Sequence, residues 1–105
     1  PIIMVVGYQK DTVINTIKKY VQEVDFVVQE NQCGTGHAVS CTQDLWHQEN
    51  ILILNGDVPL ITEDIIENLY NEHIKTDAAI SFITLHTNDM KNCSYGRVIQ
   101  KQGSI

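Results

Sequence analysis

"IIMVVGYQKDTVINTIKKYVQEVDFVVQ", residues 2–29, decides the fold. It opens on a continuous apolar run at residues 2–8, the pattern of a strand covered on both faces. Gly7 and Asp11 punctuate the turn that follows. Val13, Ile14, Ile17, Tyr20 and Val21 then recur at helical spacing. Lys18 and Lys19 fall on the outer side of that helix, in the C-terminal half where its dipole favours cations. Residues 25–29, DFVVQ, read as a short second strand. Strand, helix, strand is the unit by which parallel strands are joined.

The alternation continues towards the C-terminus. Ala38, Val39, Thr42, Leu45 and Trp46 mark one face of a second helix, and residues 50–55, NILILN, a third strand. That strand must end by Pro59, which cannot donate to a sheet ladder. Thr62 is a candidate N-cap, with Glu63 and Asp64 in the first turn of a third helix. Ile65, Ile66, Leu69, Tyr70 and Ile74 supply the buried face of this helix. Residues 78–85, AAISFITL, and 95–100, YGRVIQ, complete the pattern as a fourth and a fifth strand. The fold class is α/β, an open sheet with right-handed crossovers and no internal repeat or linker. Such sheets bind ligands outside the carboxyl ends of their strands.

Bulk composition narrows the function. The chain of 105 residues suits one small domain, and its apolar (43%) and charged (19%) shares are those of a globular protein. Thirteen acidic residues against seven basic ones, a net charge of −6, argue against a nucleic-acid surface, which needs clustered cations. The longest apolar runs, PIIMVV and ILIL, are too short to span a bilayer, and no secretory signal opens the sequence. Three cysteines (Cys33, Cys41, Cys93) without CxxC spacing read as free thiols of a reducing cytoplasm. Four dispersed histidines lack zinc-ligand spacing.

Two motifs fall at the carboxyl ends of expected strands. In QENQCGTGHAVS, residues 29–40, Gly34 and Gly36 flank Thr35 just before a helix, where backbone N–H groups are unpaired. Gln29 could pair its amide with a planar base. The bland alternative is a βα turn capped by Thr35. In LNGDVPL, residues 54–60, Asp57 follows a buried strand, between Gly56 and Pro59. A carboxylate there suits Mg²⁺, which takes one or two carboxylates and completes its shell with water and phosphate; the alternative is a turn residue or cap. In YGRV, residues 95–98, Gly96 could let the backbone lie against a sugar, and Arg97 could pair an anion. His37 reads as a local hydrogen-bond partner, Trp46 as core, and Glu63, Asp64 and Glu67 as a solvated helix face.

In this order, QENQCGTGHA, NGDVPLI and YGRVIQ resemble the uridylyltransferase domain of bacterial bifunctional N-acetylglucosamine-1-phosphate uridylyltransferases. The similarity covers essentially the whole chain, as the middle of that domain. It implies a Rossmann-like nucleotidyltransferase fold and transfer of UMP from UTP to N-acetylglucosamine 1-phosphate, with Mg²⁺, in the cytoplasm. By position, Gln29 would contact uracil, and Gly34 with Thr35 would hold the nucleotide. Asn55, Gly56 and Asp57 would line the sugar and phosphate site, with Asp57 as metal ligand and catalytic residue, and Gly96 would touch the N-acetylglucosamine moiety. Cys33 stands where the family commonly has Leu, and Ser94 replaces a frequent Gly.

The resemblance also implies an incomplete fold. A first strand with a glycine-rich phosphate loop would precede residue 1, and a second metal ligand and a β-helical acetyltransferase domain would follow residue 105. The absent strand would lie between those at residues 2–7 and 51–55. Without it two apolar edges are left open, inviting self-association, and the chain alone would be weakly active or inactive. The alternatives are another sugar-1-phosphate nucleotidyltransferase, or a non-catalytic module binding a nucleotide-sugar or a protein.

Overall fold

A computed structural model of the chain describes residues 1–86, 88, 96, 98 and 99. It divides into two compact units, Pro1–Asn55 and Gly56–Ile105.

The first unit is built on the expected strand–helix–strand. β1 (Ile2–Val6) and β2 (Val24–Val28) are parallel and in register from Ile2↔Val24 to Val6↔Val28. Val and Ile dominate both, since branched side chains pack well on a pleated surface. Between them runs α1 (Lys10–Ile17), entered through Gln9 in the left-handed region at φ 54°. The helix ends earlier than its periodicity predicts, so Tyr20 and Val21 lie beyond it, exposed. Ile14 and Ile17 are its half-buried apolar residues. Lys18 sits with its ammonium 5.8 Å from the centre of the Phe26 ring, a cation–π contact that joins the helix end to β2.

The second helix also breaks early. α2 (Thr35–Ser40) is followed by a 3₁₀ turn at Gln43–Leu45. The cause is local: Thr42 donates its hydroxyl to the Val39 carbonyl at 2.7 Å and accepts from Trp46 Nε1 at 2.9 Å. Hydroxyl side chains bonded to nearby backbone compete with helix continuation. The apolar face nonetheless persists, with Ala38, Val39 and Leu45 half-buried. Thr42 is 7% exposed and Val6 5%, and among the described residues these are the buried polar and buried apolar residues. Trp46, expected in the core, is 37% exposed at the edge of this cluster.

The expected third strand does not form. Residues 51–55 have no regular structure, and Ile51, Leu52, Ile53 and Leu54 are 45%, 52%, 59% and 51% exposed. A strand exists through its ladder, and the described sheet has the two strands β1 and β2 alone. Residues 51–55 join neither open edge of that sheet, and without a ladder the apolar run stays irregular.

The second unit contains α3 (Glu63–Thr76). Thr62 has the extended backbone of an N-cap (φ −95°, ψ 160°), although its hydroxyl makes no capping bond. Glu63 and Asp64 occupy the first turn and His73 and Lys75 the last, both complementary to the helix dipole. Asp77 closes the helix in the left-handed conformation. Of the expected buried face, Ile66 and Leu69 are half-buried, whereas Ile65, Tyr70 and Ile74 are exposed. The expected fourth strand at 78–85 is likewise irregular, so the helix has no sheet of its own unit to cover among the described residues. A side-chain contact ties it to that segment, His73 Nδ1 to Ser81 Oγ at 3.0 Å. The expected fifth strand, 95–100, lies mostly outside the described residues. No helix among the described residues is long and apolar enough to cross a membrane.

Candidate functional site

β1 and β2 end side by side, and their carboxyl edge is where an α/β sheet presents ligand groups. Gln29 extends the ladder one residue past β2 by donating its backbone N–H to the Val6 carbonyl at 2.8 Å. An open cleft of about 340 Å³ lies at this edge, lined by Gly7, Gln9, Lys10, Val28, Gln29 and Gln32 among others. Gly7 sits close to Gln32, since a Cβ there would stand 3.0 Å from Gln32 Nε2. Lys10 and Glu30 pair across the cleft mouth at 3.4 Å, both partly exposed, so the pair contributes little to stability.

The glycine loop folds back onto Gln29. Its side-chain Nε2 donates to the Gly34 carbonyl at 3.1 Å and meets His37 Nδ1 at 2.9 Å. Gly34 permits this with φ 94° and ψ 178°, a conformation essentially restricted to glycine. It is also the N-cap of α2, so Thr35 is the first helical residue and not the cap. Gly36 keeps a negative φ, and a Cβ there would meet nothing within 4 Å, so of the two loop glycines Gly34 alone uses the left-handed freedom. His37 is the local hydrogen-bond partner its position suggests, and its Nε2 lies 3.9 Å from Cys41 Sγ.

The other sequence-predicted residues stand as follows. Asn55 closes the first unit, and Gly56 and Asp57 form an exposed turn at the start of the second. Asp57 makes no hydrogen bond or ion pair with any described residue, leaving both carboxylate oxygens open. Among the described residues no group of three His, Cys, Asp or Glu gathers as a metal cage. A single open carboxylate fits Mg²⁺, which draws much of its shell from water and phosphate, better than it fits zinc. Gly96 is exposed with open space around it, while its neighbours Tyr95 and Arg97 lie outside the described residues. The structure thus joins Gln29, Gly34 and His37 by direct contact, and leaves Thr35, Asn55, Gly56, Asp57 and Gly96 as exposed positions.

Sequence reasoning missed the cleft residues Gly7, Lys10 and Gln32. The available signal was a glycine directly after a buried strand in VVGYQK, which marks a backbone in close contact with a neighbour.

Comparison with known proteins identifies the family. The sequence matches the nucleotidyl transferase family over residues 1–105. It is 37% identical over 102 residues to a probable UDP-N-acetylglucosamine pyrophosphorylase of Acanthamoeba polyphaga mimivirus, covering 93% of this chain and 39% of that protein. It is 39% identical over 106 residues to the bifunctional protein GlmU of Thermoanaerobacter pseudethanolicus, covering 99% of this chain and 22% of that protein. The protein of the same name from Fervidobacterium nodosum is 38% identical over 104 residues, with 97% and 22% covered. The chain therefore spans between about a fifth and two fifths of the length of these relatives. With a match along its whole length and a parallel strand–helix–strand ending in a glycine loop, the chain belongs to the nucleotidyl transferase family.

Proposed function

We propose that the chain carries part of the uridylyl-transfer site of a sugar-1-phosphate uridylyltransferase, making UDP-N-acetylglucosamine from UTP and N-acetylglucosamine 1-phosphate. The observation that carries this reading is the double anchoring of the Gln29 amide at the sheet edge. The amide nitrogen faces both the Gly34 carbonyl and His37 Nδ1, so its carbonyl oxygen is the group left for a ligand. A uracil presents an imino N–H that this acceptor fits. The names of the relatives support the same substrate class.

In the reaction, an oxygen of the sugar phosphate attacks the α-phosphorus of UTP. A bond forms there as the bond to the β-phosphate bridging oxygen breaks, and pyrophosphate departs. Gln29 would hold the base, the Gly34–Thr35 backbone would fix the nucleotide, and Asn55, Gly56 and Gly96 would position the sugar phosphate. Such transfer depends mainly on positioning and on charge stabilisation. Asp57 would hold Mg²⁺, which when bound neutralises charge developing on the phosphates.

Calorimetric titration of the chain with UTP, with and without Mg²⁺, tests the reading. Mg²⁺-dependent affinity that falls at least about tenfold in Asp57→Ala is the expected result. Binding that ignores both the metal and this substitution would favour a non-catalytic nucleotide-sugar module instead. Parallel titrations with other nucleoside triphosphates distinguish uridylyl transfer from transfer of another nucleotide.

A further inference from the structure

Two groups meet one amide, and their chemistry leaves one arrangement. The Gly34 carbonyl can only accept, so the atom of Gln29 that faces it at 3.1 Å must be the amide nitrogen. The second N–H of that nitrogen points to His37 Nδ1 at 2.9 Å, which must therefore offer its lone pair. In the neutral imidazole the proton then resides on Nε2, where Cys41 Sγ lies 3.9 Å away as a weak acceptor. His37 and Cys41 are both half-buried, one helical turn apart on α2 and its C-cap, so the ring is held from both sides.

We propose that His37 is a specificity-determining positioning residue. By accepting from Gln29 it keeps Oε1 as the one group of the amide open to a ligand. A base with an imino N–H, such as uracil, is matched by that acceptor. A base with a ring acceptor at the same place, such as cytosine, meets it lone pair to lone pair. Without His37 only the Gly34 carbonyl opposes turning the amide over, which would set Oε1 against that carbonyl and present N–H groups to cytosine. The selection of base rests on the uridine reading above; the fixed orientation of the amide does not.

Two measurements on the chain test this. ¹⁵N-detected NMR locates the ring proton of His37, and a coupling across the hydrogen bond reports the Gln29–His37 contact directly. Competition titrations of UTP against CTP are then compared for the unaltered chain, His37→Leu and His37→Asn, whose Oδ1 can replace the Nδ1 acceptor. The expected results are an Nε2–H ring and a preference for UTP. That preference should fall about tenfold in His37→Leu and be largely retained in His37→Asn. A proton on Nδ1 would overturn the proposal, as would UTP binding by His37→Leu with its preference unchanged. So would equal loss in both variants, since the acceptor would then not be what matters. Failure of the unaltered chain to bind either nucleotide would overturn the uridine reading and the base selection, while the position of the ring proton still decides whether His37 orients the amide.

Discussion

Gln29 donates its backbone N–H to the carbonyl of Val6 at 2.8 Å, and Val6 is the most enclosed apolar residue described, at 5% exposure. The residue with the candidate base-reading amide is thus fastened to the best-packed point of the first unit. Its side chain reaches outward to Gly34 and His37 while its backbone belongs to the sheet. Disturbing the packing at Val6 should therefore reach the glycine loop.

Val6→Ala removes buried apolar volume from the β1–β2 pair and should cost about 2 kcal/mol. A urea titration followed by circular dichroism should give a lower midpoint with little change in slope. The NMR signal of the Gln29 side-chain amide should broaden or shift in the same variant, reporting the coupling between packing and loop.

The two loop glycines should respond in opposite directions. Gly34→Ala forces a Cβ into a backbone conformation reserved for glycine, at a cost of about 1–3 kcal/mol, although open space surrounds the position. Gly36→Ala, inside α2 without a positive φ and with nothing nearby, should stabilise by about 0.5 kcal/mol. Thermal melts of the two variants side by side check both signs. Destabilisation of similar size in each would contradict the assignment of Gly34 as the special position.

The single tryptophan reports on the break between α2 and the 3₁₀ turn. Thr42→Val removes the acceptor of Trp46 Nε1 and the donor to the Val39 carbonyl, and should cost about 1–2 kcal/mol. With its anchor gone, Trp46 should become more solvated and its fluorescence should shift to the red. Unchanged emission would mean that packing alone holds the ring.

Residues 51–54 are an uncharged apolar strip without a described strand partner, which makes them a template for pairing with another chain. Concentration-dependent association is the expected behaviour of the chain in solution. Leu52→Lys combined with Leu54→Lys should suppress it, as measured by sedimentation velocity. Association unaffected by both charges would move the contact elsewhere.

Much of the first unit was legible from residue pattern. The apolar runs at residues 2–8 and 25–29, with helical spacing between them, correctly implied a parallel pair, because a buried strand and a half-buried helix each leave their own period. Helix lengths were less legible. Thr42 and Ser40 continue a helix on paper, yet their hydroxyls bond back to the Val39 and His37 carbonyls, and α2 stops there. ILIL and AAISFITL read as strands by composition and remain irregular, since a strand exists only once it joins a ladder, and composition does not decide whether it does.

The candidate site divides along the same line. From its residues alone, this protein has an α/β pattern, a glycine loop before a helix, a carboxylate after an apolar run and too few cations for nucleic acid. These are properties of residue type and spacing, carried by the chain whatever its shape. The tertiary structure decided that Gly34 and not Gly36 takes the glycine-only backbone, and that the Gln29 amide is consumed on its nitrogen side. Those facts depend on which atoms meet, and hydrogen-bond direction exists only once donor and acceptor have been brought together.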